Sequence, residues 1–239
     1  MKYIIFLKNI VKKFGYIQIK YIFKLLLDLI FRRKIIIDGL NDGKKLEKLV
    51  KKYANKKNIY KIEEINMPLI IPSVNLIDGG VHIFSSVNNN RGYSDQVHYN
   101  NEIEIEKAVR SSCSYPGIFK PYKYKNLKLI DGGIRENVPW KECKKAGADF
   151  VISITFDTDV SKIKKDNIID VVSSSIGILS HELSVYELMG SDYNIKIKTE
   201  DVGLLEYKKL DELFYMGYIQ TKEKIEDLKR KVEENNRRI

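Results

Sequence analysis

The chain has 239 residues, 44% of them hydrophobic and 31% charged, with a net charge of +10. That balance excludes a disordered polyelectrolyte, and no apolar run approaches the roughly 20 residues of a spanning helix. Two cysteines, Cys113 and Cys143, are too few for a disulfide-built scaffold and imply a reducing cytoplasm, while three scattered histidines (His82, His98 and His181) do not make a metal centre.

The basic excess is local. Residues 1–66 hold 17 Lys/Arg against 6 Asp/Glu, and the remainder is nearly neutral. Such a segment attracts anionic lipid or nucleic acid, or is simply a set of solvated helix faces. No nucleic-acid recognition motif accompanies it, and its aliphatic content is wrong for a loose basic arm. Nucleic acid is therefore not expected as a partner.

In chain order, Met1–Lys34 reads as one or two basic, apolar helices. The apolar stretch Tyr21–Phe31 wants burial in protein or at a lipid surface. The short apolar run Tyr3–Leu7, with no small-residue cleavage site after it, argues against a secretory signal. Asn41 or Asp42 is placed to cap a helix carrying Leu46, Leu49, Val50 and Tyr53 at helical spacing. Met67–Val74 and Val81–Val87 read as paired strands around Asp78-Gly79-Gly80, a hairpin turn. A short helix is expected over Glu102–Ser111 and a strand over Leu127–Ile130. A second strand over Asp149–Thr155 is apolar enough for burial on both faces. Asn167–Met189 is helical in pattern, Asn194–Lys198 a strand, and Asp211 to the end helical, with charge concentrated from Lys222. The alternation makes the class α/β.

One stretch is more specific than the rest. A helix ending in small polar residues, Ser111-Ser-Cys-Ser114, meets Tyr115-Pro-Gly-Ile-Phe-Lys-Pro121, in which Pro116 and Gly117 force a turn. The next strand stops at Asp131, and Gly132-Gly133 let the backbone turn sharply. A carboxylate at the carboxyl end of a buried strand faces the crevice in which α/β sheets hold ligands. The loop beyond carries Asn137 and Pro139.

Ser112, Pro116, Gly117, Phe119 and Pro121, then Asp131-Gly132-Gly133, then Asn137 and Pro139 resemble the signature of the patatin-like phospholipases, which are lipid acyl hydrolases. Gly39-Leu40, the 68–87 hairpin, Gly147–Ile152, Asp192–Ile195 and Met216–Tyr218 follow that family's order of elements, so the resemblance covers most of residues 35–220. It implies a three-layer α/β/α fold, here incomplete at its amino-terminal side, preceded by the basic helical segment 1–34 and followed by a charged helical tail, 221–239. It also implies a Ser–Asp dyad acting without a metal or cofactor. Asp131 would be the catalytic aspartate, with Gly132, Gly133, Asn137, Pro116 and Gly117 shaping its surroundings. The other Leu-Ile-Asp-Gly-Gly, at 76–80, lacks both flanking motifs, so Asp78 is read as a turn residue.

The family's nucleophile lies in Gly-x-Ser-x-Gly, with a glycine-rich loop supplying oxyanion donors. The sequence contains neither. Gly92-Tyr-Ser-Asp-Gln96 lacks the closing glycine and does not open a helix, so Ser94 is not the nucleophile. Each histidine is read as a surface or satisfied group, Cys113 as a small packed group, Cys143 as a candidate reactive thiol and Trp140 as packing for its own loop. Two functional expectations follow. One is a cytoplasmic, membrane-peripheral lipid hydrolase completed by a serine elbow in cis or on a second polypeptide. The other is a catalytically inactive relic or lipid-surface-binding module. In either case the apolar strand and helices lacking cover predict a chain that is oligomeric or poorly soluble by itself.

Overall fold

The computed structural model describes residues 38–87, 96–157, 168–199 and 207–237, and the expectations for Met1–Lys34 and for Ser94 fall outside them. Helices and strands interleave along the chain, as the α/β class requires. Two compact units divide at Arg135–Glu136.

In the first unit, α1 spans Lys44–Asn55 and α2 spans Ile105–Ser112, and the strands are β1 (Ile70–Asn75), β2 (Val81–Ser85), β3 (Val97–Asn100), β4 (Tyr122–Tyr124) and β5 (Leu127–Asp131). They form one mixed sheet in the order β3-β2-β1-β5-β4, with β2 and β3 parallel and the other pairs antiparallel. The β1–β2 hairpin is as expected. Its register runs from Ile70 opposite Ser85 to Val74 opposite Val81, and Gly79 takes the positive φ of 74° that the turn needs. Asp78 is a turn residue, its Oδ1 accepting from the Gly80 N–H and its Oδ2 from Asn75 Nδ2. Ile62, Phe84, Ile103, Ile105, Ala108 and Leu129 form the buried core, so the apolar stripe of α2 closes over alternate residues of the sheet. Burying a side chain such as Phe84 contributes about 1.5–3 kcal/mol.

The start of α1 corrects one expectation. The cap is Gly43, at φ 66°, and neither Asn41 nor Asp42 occupies that position. Their carboxamide and carboxylate act one step earlier, accepting from the N–H groups of Gly43 and Lys44 respectively. Two things ask for glycine at 43: the left-handed φ, and the Arg110 side chain lying against it, since a Cβ there would sit 1.9 Å from Arg110 Nε.

The second unit contains α3 (Trp140–Lys145), β6 (Ile152–Asp157), α4 (Ile168–Leu188), β7 (Tyr193–Lys198) and α5 (Leu210–Asn236). β6 and β7 pair in parallel, from Ile152 opposite Tyr193 to Asp157 opposite Lys198. α5 packs on β7. Tyr193 donates its hydroxyl to Asp227, and the Gln220 amide both accepts from the Lys198 N–H and donates to the Lys198 C=O. β6 is not buried on both faces. Val151 and Ser153 are buried, whereas Ile152, Ile154 and Phe156 are 44%, 60% and 68% exposed. The physical reason is lateral: α5 lies on β7 and leaves the apolar face of β6 open, although Ile195 and Ile197, the register partners on that face, are buried. α4 is similarly inverted, with Ser174 and Ser184 buried and Val171, Val172, Ile178, Leu179, Val185 and Tyr186 exposed. No helix among the described residues is long and apolar enough to cross a membrane.

Candidate active site

Asp131 ends β5 and caps the 3-10 turn Gly132–Ile134. Its Oδ1 accepts from the Gly133 N–H at 2.8 Å, and its own N–H donates to the Ser114 carbonyl at 3.2 Å. Neither carboxylate oxygen has an ion-pair partner among the described residues, and Oδ2 accepts no hydrogen bond from them. Burial pushes the carboxyl above the usual aspartate range, opposed only by the Gly133 N–H. Of the two glycines, Gly132 is the one the packing requires, because it lets β5 approach β1: a Cβ at 132 would lie 2.4 Å from the Pro72 carbonyl oxygen. Gly133 contributes its backbone N–H, as any residue but proline could.

The Pro-Gly-x-Phe-x-Pro run is a strap across the amino-terminal stretch of the unit. The Tyr115 carbonyl accepts from the N–H groups of Ile118 and Phe119, with Gly117 at φ 81°. Leu40 and Asn41 donate their N–H groups to the Ile118 carbonyl, and Lys120 donates back to Asn41. Gly39 fits only because it has no side chain, as a Cβ there would lie 2.4 Å from Lys120 N. Pro116 and Gly117 therefore shape the segment that leads from α2 towards β5, and Ser114 of that segment holds the Asp131 backbone.

Behind the strap is a residue the sequence reading did not single out. Arg110, only 1% exposed, donates to Ser114 Oγ at 2.6 Å, to the Lys120 carbonyl at 2.8 Å and to the Asp42 carbonyl at 3.0 Å. Its guanidinium also lies over the rings of Phe119 and Tyr122. One planar fork thus gathers three separated pieces of chain around the approach to Asp131. The available signal was the i, i+4 spacing of Arg110 and Ser114 on α2.

Asn137 and Pro139 belong to the second unit. Asn137 Nδ2 donates to Ser184 Oγ on α4 at 2.6 Å, and the Val138 N–H donates to Glu187. Pro139 precedes α3, and the Trp140 ring fills the space beside Gly190, so Trp140 packs the end of its own unit. Glu187 is held above the usual carboxyl range by burial, opposed by backbone N–H donors of this loop. Cys143 is not an activated thiol, because burial and then Glu142 push it up. The Cys113 thiol, at the end of α2, is likewise pushed up by burial and then by Asp131. His82 departs from the expected satisfied histidine, since it is buried and its Nε2 has no hydrogen-bond partner among the described residues. Among those residues no cluster of His, Cys, Asp or Glu is suited to a metal ion.

Parts of the chain are similar to known proteins. Lysophospholipase NTE1 of Meyerozyma guilliermondii is 38% identical over 48 residues, covering 20% of this chain and 3% of that protein. The proteins of the same name from Scheffersomyces stipitis and Debaryomyces hansenii are 35% and 38% identical over 48 residues, with the same coverage. The matched stretch thus spans about 3% of the length of these relatives. The model of the patatin-like phospholipase family matches residues 6–144, more than half of the chain and inclusive of Asp131 and its strap. The chain belongs to the patatin-like phospholipase family.

Proposed function

We propose that this chain contributes the aspartate half of a lipid acyl hydrolase site that cleaves carboxylic esters of membrane lipids by a Ser–Asp dyad. The observation that carries this reading is the state of Asp131. It is a half-buried carboxylate at the end of a strand, steadied through one oxygen, unpaired with any described cation and raised in proton affinity by burial. Such a group is suited to take a proton from a serine hydroxyl as that oxygen attacks an ester carbonyl, and to return it to the leaving alcohol. Water then releases the acyl group from the serine by the same proton transfers in reverse. The serine elbow and oxyanion donors would come from a further segment in cis or from a second polypeptide. The basic excess of residues 1–66 supports peripheral attachment to anionic lipid on the cytoplasmic side. Lysophospholipase, the name borne by the similar proteins, supports a lipid ester as substrate.

The absence of Gly-x-Ser-x-Gly from these 239 residues favours a second reading, a lipid-binding module without catalysis. One experiment separates the two. The chain is co-expressed with a polypeptide bearing the glycine-rich loop and serine elbow, and hydrolysis of a fluorogenic fatty-acyl ester is measured for wild type and Asp131→Ala. The hydrolase reading expects a loss of at least about 100-fold in the variant. Activity indifferent to Asp131 overturns it. Salt-sensitive binding to anionic vesicles with no hydrolysis establishes the second reading instead.

A further inference from the structure

A line of four polar side chains crosses the sheet of the first unit and ends at Asp131. Ser73 of β1 is the register partner of Asp131 on one side and of His82 on the other, and His82 is the partner of His98 on β3. Register partners project to the same face of a pleated sheet with Cβ atoms about 4.5–5.5 Å apart. The line therefore runs Asp131, Ser73, His82, His98, one residue per strand. Ser73 is fully buried and its Oγ has no hydrogen-bond partner among the described residues; His82 is 9% exposed and its Nε2 has none either. The His82 and His98 rings stack with centroids 4.8 Å apart, and His98 is exposed. Buried donors and acceptors are almost always satisfied, so two orphans side by side, next to a carboxylate with a free oxygen, call for an explanation.

We infer that Ser73 and His82 form a proton relay joining Asp131 to solvent at the His98 side, an inference that rests on Asp131 acting as the base. The relay requires a rotation about the Ser73 Cα–Cβ bond that sets Oγ between its two register neighbours. When Asp131, having returned the serine proton to the leaving alcohol, takes the proton shed by the carboxylic acid product, its O–H donates to Ser73 Oγ while the Ser73 proton moves to His82 Nε2. The Asp131 O–H bond breaks, a new O–H bond forms on Ser73, the old one breaks, and an N–H bond forms on His82. The net result is a carboxylate at 131 and an imidazolium at 82, which loses a proton to water and returns to neutrality. The surroundings raise the proton affinity of Asp131 and lower that of His82, which works against the first transfer and favours the release of the proton from His82 to water. Burial and then His98 hold the His82 imidazolium below its ordinary stability, with the Asp78 carboxylate of the hairpin turn opposing them. At the other end, the Cys113 thiol at the end of α2 is the titratable neighbour of Asp131, and Arg110 bears on that thiol. Ser73 and His82 act through Asp131 and are positioning residues.

The test is a spectroscopic titration of the full chain carrying 15N-labelled histidine. In the wild type, the His82 Nε2 resonance should carry the upfield shift of a hydrogen-bonded acceptor and show a second inflection where Asp131 ionises. Ser73→Ala should abolish both, Ser73→Thr should keep them, and Asp131→Asn should remove only the inflection. Identical His82 titrations in wild type, Ser73→Ala and Asp131→Asn overturn the relay. The hydrolase reading fails separately: a coupled His82 signal with ester hydrolysis indifferent to Asp131 refutes that reading and leaves the relay standing. Asp131-dependent hydrolysis with an uncoupled His82 does the reverse.

Discussion

Replacing Arg110 by Met removes the fork and keeps most of the stem's volume. Three short hydrogen bonds, at 2.6, 2.8 and 3.0 Å, are lost, and bonds from a charged donor contribute about 1.5–3 kcal/mol each. Against that stands the release of a buried cation, whose desolvation costs several kcal/mol and is visible as a guanidinium pushed below its usual proton affinity by burial. The Ser114, Lys120 and Asp42 oxygens are left without their donor, so the balance is a net loss of about 2–4 kcal/mol. The assay is urea unfolding followed by circular dichroism, which should show a lower midpoint for the first unit at unchanged slope. Arg110→Lys should recover less than half of the loss, because an ammonium cannot span three acceptors in one plane. A loss below about 0.5 kcal/mol, or full recovery by Lys, would refute the view that this side chain gathers the strap.

Two further outcomes follow from the surroundings of Asp131. Gly132→Ala drives a methyl group into the Pro72 backbone, which cannot swing aside as a side chain would; thermal unfolding should show a loss of about 1–3 kcal/mol, and an unchanged midpoint would contradict the close approach of β5 to β1. Asp131→Asn should make the protein at least as stable as wild type at pH 7, since the native carboxyl is raised and its ionised form is the costly one in the folded state. That advantage is fully present above the raised native value and should vanish as pH falls below the ordinary aspartate value of about 3.9, where both states become protonated. Denaturation midpoints from pH 7 to pH 3 check the sign, and an advantage that grows on acidification would reverse it.

Much of this was legible because local chemistry and tertiary structure agree. Asp78-Gly79-Gly80 demanded a turn and made one; α2, β5, α4, β7 and α5 follow runs whose periodicity was clear. Two short strands, β3 and β4, were missed, since four and three residues carry too little pattern to register. The cap of α1 was misassigned because the deciding contact, Arg110 against Gly43, spans 67 positions of chain and leaves no local trace. β6 misled for a related reason, as an apolar strand reports what it can bury and not what stands over it. The line through Ser73 and His82 was invisible for want of a register. Asp131 was singled out through its motif, and what the structure added is the packing that explains Gly132 and Gly117 beside it.

The Gln220 side chain engages both main-chain polar groups of Lys198 at the end of β7. A carboxamide there mimics the peptide group of an adjoining strand and so plugs that margin of the two-stranded sheet. Among the described residues, an incoming strand therefore finds the main-chain groups of Lys198 already engaged, while the large apolar side chains of β6 point outward.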